Sequence, residues 1–219
     1  MDEQQSREMA SQLRQPKGDN GIKTGEWMSE GNKTIILDTL KVLNAEAGDR
    51  ILEIGMGNGH FVSEIVSKDP TISYSGCDFS ELMVSESRKN NREWIDKQQA
   101  EFILTDGTSL PFGDQTFTKI FTVNTLYFWE DRRAVLAEFK RVLKPDGILI
   151  LGIRPKRLME NIPFTKFGFN LFSKEDAVDL LTENGFEVLS TVENTEPPFD
   201  LNGKQIVMEN VVVKAKSTT

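Results

Sequence analysis

The chain contains a single histidine, His60, and a single cysteine, Cys77, among its 219 residues. One cysteine cannot form a disulfide within the chain. A structural zinc site needs about four nitrogen or sulfur ligands, so a Cys/His metal cluster is excluded and no metal site is expected. Any Ser-His-Asp or Cys-His nucleophilic machinery would have only His60 to draw on. Basic residues are also short: 26 Lys and Arg stand against 34 Asp and Glu, for a net charge of −8. That balance argues against general binding to nucleic acid or to an anionic membrane. The longest strongly apolar run is near Ile148–Ile153, far short of the roughly 20 residues a membrane helix requires. The start, MDEQQSREMASQ, is polar and acidic, with no apolar stretch after a basic beginning, unlike a secretory signal. A reduced, cytoplasmic setting is expected, with Cys77 as a small buried hydrophobe.

What remains is an ordinary globular composition, 38% hydrophobic and 27% charged, at a length suited to one domain (1–219). Residues 1–32 open on a polar stretch punctuated by Pro16, Gly18, Gly21 and Gly25, which reads as an arm or lid. A helix is expected over 34–45 with Ile36, Leu37, Leu40 and Leu43 on one stripe. After it come a short strand over 50–54, a helix over 60–67, a strand over 72–77 and a helix over 80–97 capped by Ser80. The pattern continues with strands over 100–104 and 117–123, and a helix over 131–143 stopped by Lys144-Pro145-Asp146-Gly147. The strand over 148–153 is apolar almost throughout, as a central strand buried on both faces should be. Strands alternating with helices imply an α/β fold, a mostly parallel sheet between two helical layers. The end differs. A helix over 173–184 stops at Gly185, and strands over 186–192 and 205–214 flank a turn-rich segment with Pro197, Pro198, Asn202 and Gly203. Two strands without an intervening helix suggest an antiparallel pair at one edge.

Open parallel sheets bind ligands beyond the carboxyl ends of their strands. Glu53, Asp78, Asp106 and Asn124 all fall at or just past such ends. The loop Glu53-Ile54-Gly55-Met56-Gly57-Asn58-Gly59 is the sharpest local signal, because glycines allow a tight turn and let a ligand lie against the backbone. A dinucleotide loop of the form GxGxxG would need glycine at position 60, where His60 stands. Asp78 follows the glycines by roughly 20 residues, where a carboxylate can accept from both hydroxyls of a ribose. Asp106 could accept from an adenine amino group or simply form an Asp-Gly turn.

The segments ILEIGMGNGHF (51–61), SGCDFS (75–80), LTDGTSLPF (104–112), VNTLYFWED (123–131) and RVLKPDGILILGIR (141–154) together resemble the class I S-adenosylmethionine-dependent methyltransferases, in particular the small-molecule type-11 group. The resemblance implies a Rossmann-like three-layer sandwich. Its seven-stranded sheet would have the order 3-2-1-4-5-7-6, with the last strand antiparallel. It implies S-adenosyl-L-methionine as cofactor and a small-molecule methyl acceptor as partner. Glu53 would organise the loop and meet the methionine amino group. Gly55, Gly57 and Gly59, with Asn58 in the same loop, would let the backbone approach the donor. Asp78 would hold the ribose beside Phe79, Asp106 and Gly107 would meet the adenine, and Asn124 with Thr125 would lie near the sulfonium. Trp27, Met28 and Asn32 are further candidates ahead of the first strand. A nicotinamide-dependent oxidoreductase and a non-catalytic S-adenosylmethionine-binding module are the competing readings.

Methyl transfer from a sulfonium needs alignment and exclusion of water more than an acid or base, so a chain with one histidine is not disqualified. No catalytic residue is assigned, and His60 reads as a loop-edge residue. Tyr127, Phe128 and Trp129 either wall an acceptor pocket or pack the sheet. The segment over 154–172 follows the fifth strand. With Ser173 and Lys174 it holds Arg154, Lys156, Arg157, Lys166 and Lys174 against one acid, Glu160, and four phenylalanines. It reads as a lid-like insertion for an anionic or aromatic acceptor.

Overall fold

The computed structural model describes residues 1–201 and 204–218. In chain order the elements are α1 (Glu3–Arg14), α2 (Gly18–Gly31), α3 (Lys33–Leu43), β1 (Arg50–Ile54), α4 (Ser63–Val66), β2 (Ser73–Asp78), α5 (Glu81–Asn90), α6 (Arg92–Asp96) and β3 (Ala100–Leu104). They continue with β4 (Phe117–Val123), α7 (Arg132–Val142), β5 (Leu143–Ile153), α8 (Lys156–Met159), α9 (Lys174–Glu183), β6 (Phe186–Thr195), β7 (Phe199–Leu201), β8 (Lys204–Ile206) and β9 (Glu209–Ser217). Seven strands form one sheet in the order β3-β2-β1-β4-β5-β9-β6. β1 to β5 pair in parallel, and β9 runs antiparallel to both β5 and β6. This is the expected order, with the small hairpin β7–β8 added before the last strand. The last strand begins at Glu209 rather than at Gln205. Asn202 and Gly203, read as part of the turn, lie outside the described residues.

Side chains alternate across the sheet with period two, so each central strand feeds two cores. Leu52, Leu149, Leu151 and Val213 pack with Leu136, Phe139 and Leu181 on the face covered by α7 and α9. Ile51, Phe121, Ile150 and Val212 pack with Leu40, Leu43, Ile65 and Val84 on the face of α3, α4 and α5. No described helix is long and apolar enough to cross a membrane.

Four local expectations change. The strand expected over 148–153 is β5 from Leu143, which takes in the Lys144-Pro145-Asp146-Gly147 stretch read as the helix stop. The stretch read as an arm is two helices. Asp2 caps α1 in a reciprocal pair with Gln5, and Gly21 and Gly25 are buried within α2. A Cβ on Gly21 would stand 2.6 Å from Leu82 Cδ2 and 2.9 Å from the backbone of Pro16. These glycines bring α2 close to α5 instead of breaking a helix. The buried stripe of α3 is Ile35, Thr39, Leu40 and Leu43, while Leu37 is exposed. The helix expected over 80–97 divides at Asn91, whose buried side chain donates to Gly59 O (2.9 Å) and Ser87 O (3.0 Å).

Candidate active site

The glycine loop is shaped by the strand that precedes it. β1 pairs with β2 up to Ile54 and Cys77, and the N–H of Gly55 then continues the contact by donating to Cys77 O at 2.7 Å. Gly55, Gly57 and Gly59 all take positive φ, a region costly to other residues. They do so for different neighbours. A Cβ on Gly55 would overlap the Thr125 methyl, and one on Gly59 would stand 2.6 Å from Asn91 Nδ2, whereas one on Gly57 would meet nothing within 4 Å. Gly57 therefore presents bare backbone to open space.

Asp78 ties this loop to the next helix. Its carboxylate accepts from Gly57 N–H (3.1 Å) and Ser80 N–H (2.9 Å), and Ser80 caps α5. Burial raises the Asp78 pKa, opposed by those backbone donors. Glu53 is half-buried at the end of β1 and accepts from the Tyr74 hydroxyl. Burial pushes its carboxyl up to about 7; the Tyr74 bond opposes this and the nearby Asp78 charge adds to it. Asp106 differs. It accepts from Thr108 N–H (2.9 Å) and the Thr108 hydroxyl (2.8 Å), which hold it below the usual carboxylate range. Asn124 takes φ 57° just past β4. Its Nδ2 donates to Asn32 Oδ1 and its Oδ1 faces the Tyr127 hydroxyl, each at 3.1 Å. The Thr125 and Thr122 hydroxyls bond each other, and Thr122 donates to Ile54 O.

These residues surround a cavity of about 390 Å³ at the carboxyl edge of the sheet. Of the sequence candidates, Glu53, Gly55, Gly57, Asn58, Asp78, Phe79, Asp106, Asn124, Thr125, Met28 and Asn32 line it, with His60 among them. Gly59 and Gly107 do not, and Trp27 points outward, 55% exposed. Sequence reasoning missed Leu13, Arg14, Pro16, Ser29 and Ile36, the part of the wall supplied by α1 to α3. The Asp2-to-Gln5 capping signature was the signal that could have revealed α1.

The segment over 154–172 is not where the sequence reading put it. None of its residues lines the cavity. Three of its five cations are paired with acids of the C-terminal region: Arg154 with Glu196 (2.8 Å), Arg157 with Glu209 (2.8 Å), and the adjoining Lys174 with Glu193 (2.6 Å). Phe169 packs on Phe128 with ring centroids 4.7 Å apart, and the Arg7 guanidinium lies 4.3 Å from the Phe167 ring. The segment thus backs α1 and the post-β4 turn. Tyr127 is buried in the core, while Phe128 and Trp129 face the cavity.

The methyltransferase-domain family matches residues 52–151, from within β1 to within β5. An O-methyltransferase of Pyrenophora dematioidea is 27% identical over 190 residues, covering 78% of this chain and 70% of its own. The 27-O-demethylrifamycin SV methyltransferase of Amycolatopsis mediterranei (strain S699) is 32% identical over 114 residues, covering 51% of this chain and 40% of its own. The chain belongs to the class I S-adenosylmethionine-dependent methyltransferases. The fold agrees: a S-adenosylmethionine-dependent methyltransferase from Aquifex aeolicus superposes with a TM-score of 0.70, at 21% identity, over 90% of this chain and 98% of that one. Membership sets aside the nicotinamide and non-catalytic readings, and S-adenosylmethionine is the cofactor.

The residues of this methyltransferase fit that cofactor. Two adjacent carboxylates, Glu53 and Asp78, face the cavity against the cost of burial, a cost that a cationic ligand lowers. The open side of Gly57 leaves room for a ligand against the backbone.

Proposed function

We propose that this methyltransferase transfers a methyl group to a small, uncharged acceptor with an apolar or aromatic body. The observation that carries the reading is the make-up of the cavity wall. Leu13, Met28, Ile36, Phe128, Trp129 and Val135 supply apolar surface around the carboxylate-lined donor groove. The wall holds two basic side chains, Arg14 and His60, and Arg14 is bonded to Glu130. With three of the five cations of 154–174 paired elsewhere and none in the cavity wall, the support for an anionic acceptor is withdrawn. Oxygen is the nucleophile in the names of both relatives above, which favours a hydroxyl acceptor whose proton passes to solvent at the cavity mouth as the O–CH3 bond forms.

Bound S-adenosylmethionine supplies an electrophilic methyl carbon on a sulfonium, which leaves as a neutral thioether without needing an acid. The chain contributes binding and alignment. Glu53 would take the amino group, Asp78 and Phe79 the ribose and adenine side, and Asn124 with Thr125 the sulfonium end. Asp106 would reach the adenine on release from its turn with Thr108. Helices α1 and α2 cover this groove and exclude water, which favours in-line displacement. His60 sits at the exposed rim, donating its backbone N–H to Asn58 Oδ1 at 3.2 Å. Transfer should therefore persist in His60→Ala across pH 6–8, and a loss there would make His60 the base.

The test is to incubate the protein with methyl-labelled donor and matched acceptor panels, neutral phenols against carboxylated analogues. Label on the neutral set supports the reading. Label confined to the anionic set overturns it.

A further inference from the structure

The buried ion pair of Arg154 and Glu196 lies outside the cavity wall, and the transfer itself uses neither side chain. Both are nearly inaccessible, 4% and 8% exposed. Arg154 Nη1 meets Glu196 Oε1 at 2.8 Å, and Nη2 donates to the carbonyl of Gly31, the last residue of α2, at 3.0 Å. The backbone N–H of Arg154 donates to the Tyr127 hydroxyl at 2.6 Å. That hydroxyl also lies 3.1 Å from Asn124 Oδ1. Asn210 bridges Glu196 (3.2 Å) to Asp38 of α3 (2.9 Å). Two routes thus leave Arg154, one from its guanidinium and one from its backbone N–H, and end on the same contact. The first runs through the α2 terminus to Asn32, the second through Tyr127 to Asn124, and Asn32 and Asn124 bond each other at the cavity.

Stability alone does not account for such a pair. Burying two charges costs desolvation, and apolar replacements of similar volume are often neutral or stabilising. The fork geometry of a guanidinium instead offers fixed directions to several partners at once. We infer that Arg154 and Glu196 are positioning residues. Their ion pair sets the junction of α2 with α3 so that Asn32 meets Asn124, which the Arg154 backbone holds through Tyr127, over the sulfonium end of the donor groove. The inference rests on the methyltransferase reading of the cavity.

The experiment uses the full chain, with S-adenosylhomocysteine as probe, and reads dissociation constant and melting temperature together. The double variant R154M/E196L removes both charges and keeps the volume. It should melt within a few degrees of the wild type, yet bind the probe about tenfold more weakly. Arg154→Lys keeps a charge beside Glu196 but loses the fork that also holds the Gly31 carbonyl, so it should also weaken binding. A double variant that folds and binds as the wild type does would overturn the inference. If the double variant does not fold, wild-type affinity in Arg154→Lys overturns it. A purely structural ion pair would lower the melting temperature and leave the dissociation constant of folded protein unchanged. Failure of the wild type to bind the probe is a separate result, and it overturns the cavity reading along with the inference.

Discussion

Glu53 is a carboxylic acid held near neutrality. Burial lifts its carboxyl to about 7, with the Asp78 charge adding to the effect and the Tyr74 hydroxyl opposing it. Because the folded pKa is raised, the associated stability is fully present below the unfolded pKa and disappears as pH rises through about 7. Glu53→Gln does not titrate. Relative to the wild type, it should gain about 3 kcal/mol by pH 8 and nothing below pH 4, read from paired denaturant melts. The donor should reverse the penalty, since a cation beside Glu53 favours the ionised form. Between pH 5.5 and 7 the wild type should therefore bind S-adenosylmethionine more tightly as pH rises and release a proton on binding. Calorimetry in two buffers of different ionisation heat measures that proton. A pH-independent affinity would mean that Glu53 does not meet the amino group.

At the scale of elements, legibility followed locality. β1 (Arg50–Ile54) and β4 (Phe117–Val123) have the bounds read from sequence, because a central parallel strand shows as a short apolar run. α3 was mis-phased because one buried position is Thr39, whose hydroxyl is satisfied by Ile35 O at 2.8 Å. The sequence shows a polar residue but not its bond. The basic segment was over-read for a related reason: Glu193, Glu196 and Glu209, which pair with three of its five cations, lie far along the chain. In the site, the acids and glycines at strand ends were legible, whereas the wall from α1 and α2 depends on how two helices dock. Gly21 tests that docking. Ala is favoured over Gly in a helix by about 1 kcal/mol, but here its Cβ would press on Leu82 and on the backbone of Pro16. Overpacking of this kind costs about 1–3 kcal/mol. Gly21→Ala should therefore destabilise the protein and speed hydrogen exchange over residues 3–31. Gly31→Ala, where a Cβ meets nothing within 4 Å, should be neutral or stabilising.

At the scale of the molecule, the donor groove is assembled from parts that meet only in the folded chain. The ends of β1, β2 and β4, the loop after β3 and the cover from α1 to α3 all contribute to one wall. An unfolded chain cannot reproduce it, so donor binding must stabilise the native state by mass action. At 100 times its dissociation constant, a ligand adds about 2.7 kcal/mol. In a chain of this size each 1 kcal/mol moves the midpoint by about 2–4 °C. Saturating S-adenosylmethionine or S-adenosylhomocysteine should thus raise the melting temperature by about 5–10 °C. NAD should leave it unchanged, because the loop carries His60 where a dinucleotide loop needs its third glycine. Glu53→Gln should reduce the shift given by S-adenosylmethionine at fixed ligand concentration, while His60→Ala, at the exposed rim, should preserve it. A shift with NAD and none with S-adenosylmethionine would place the ligand in the groove by some chemistry other than methyl transfer.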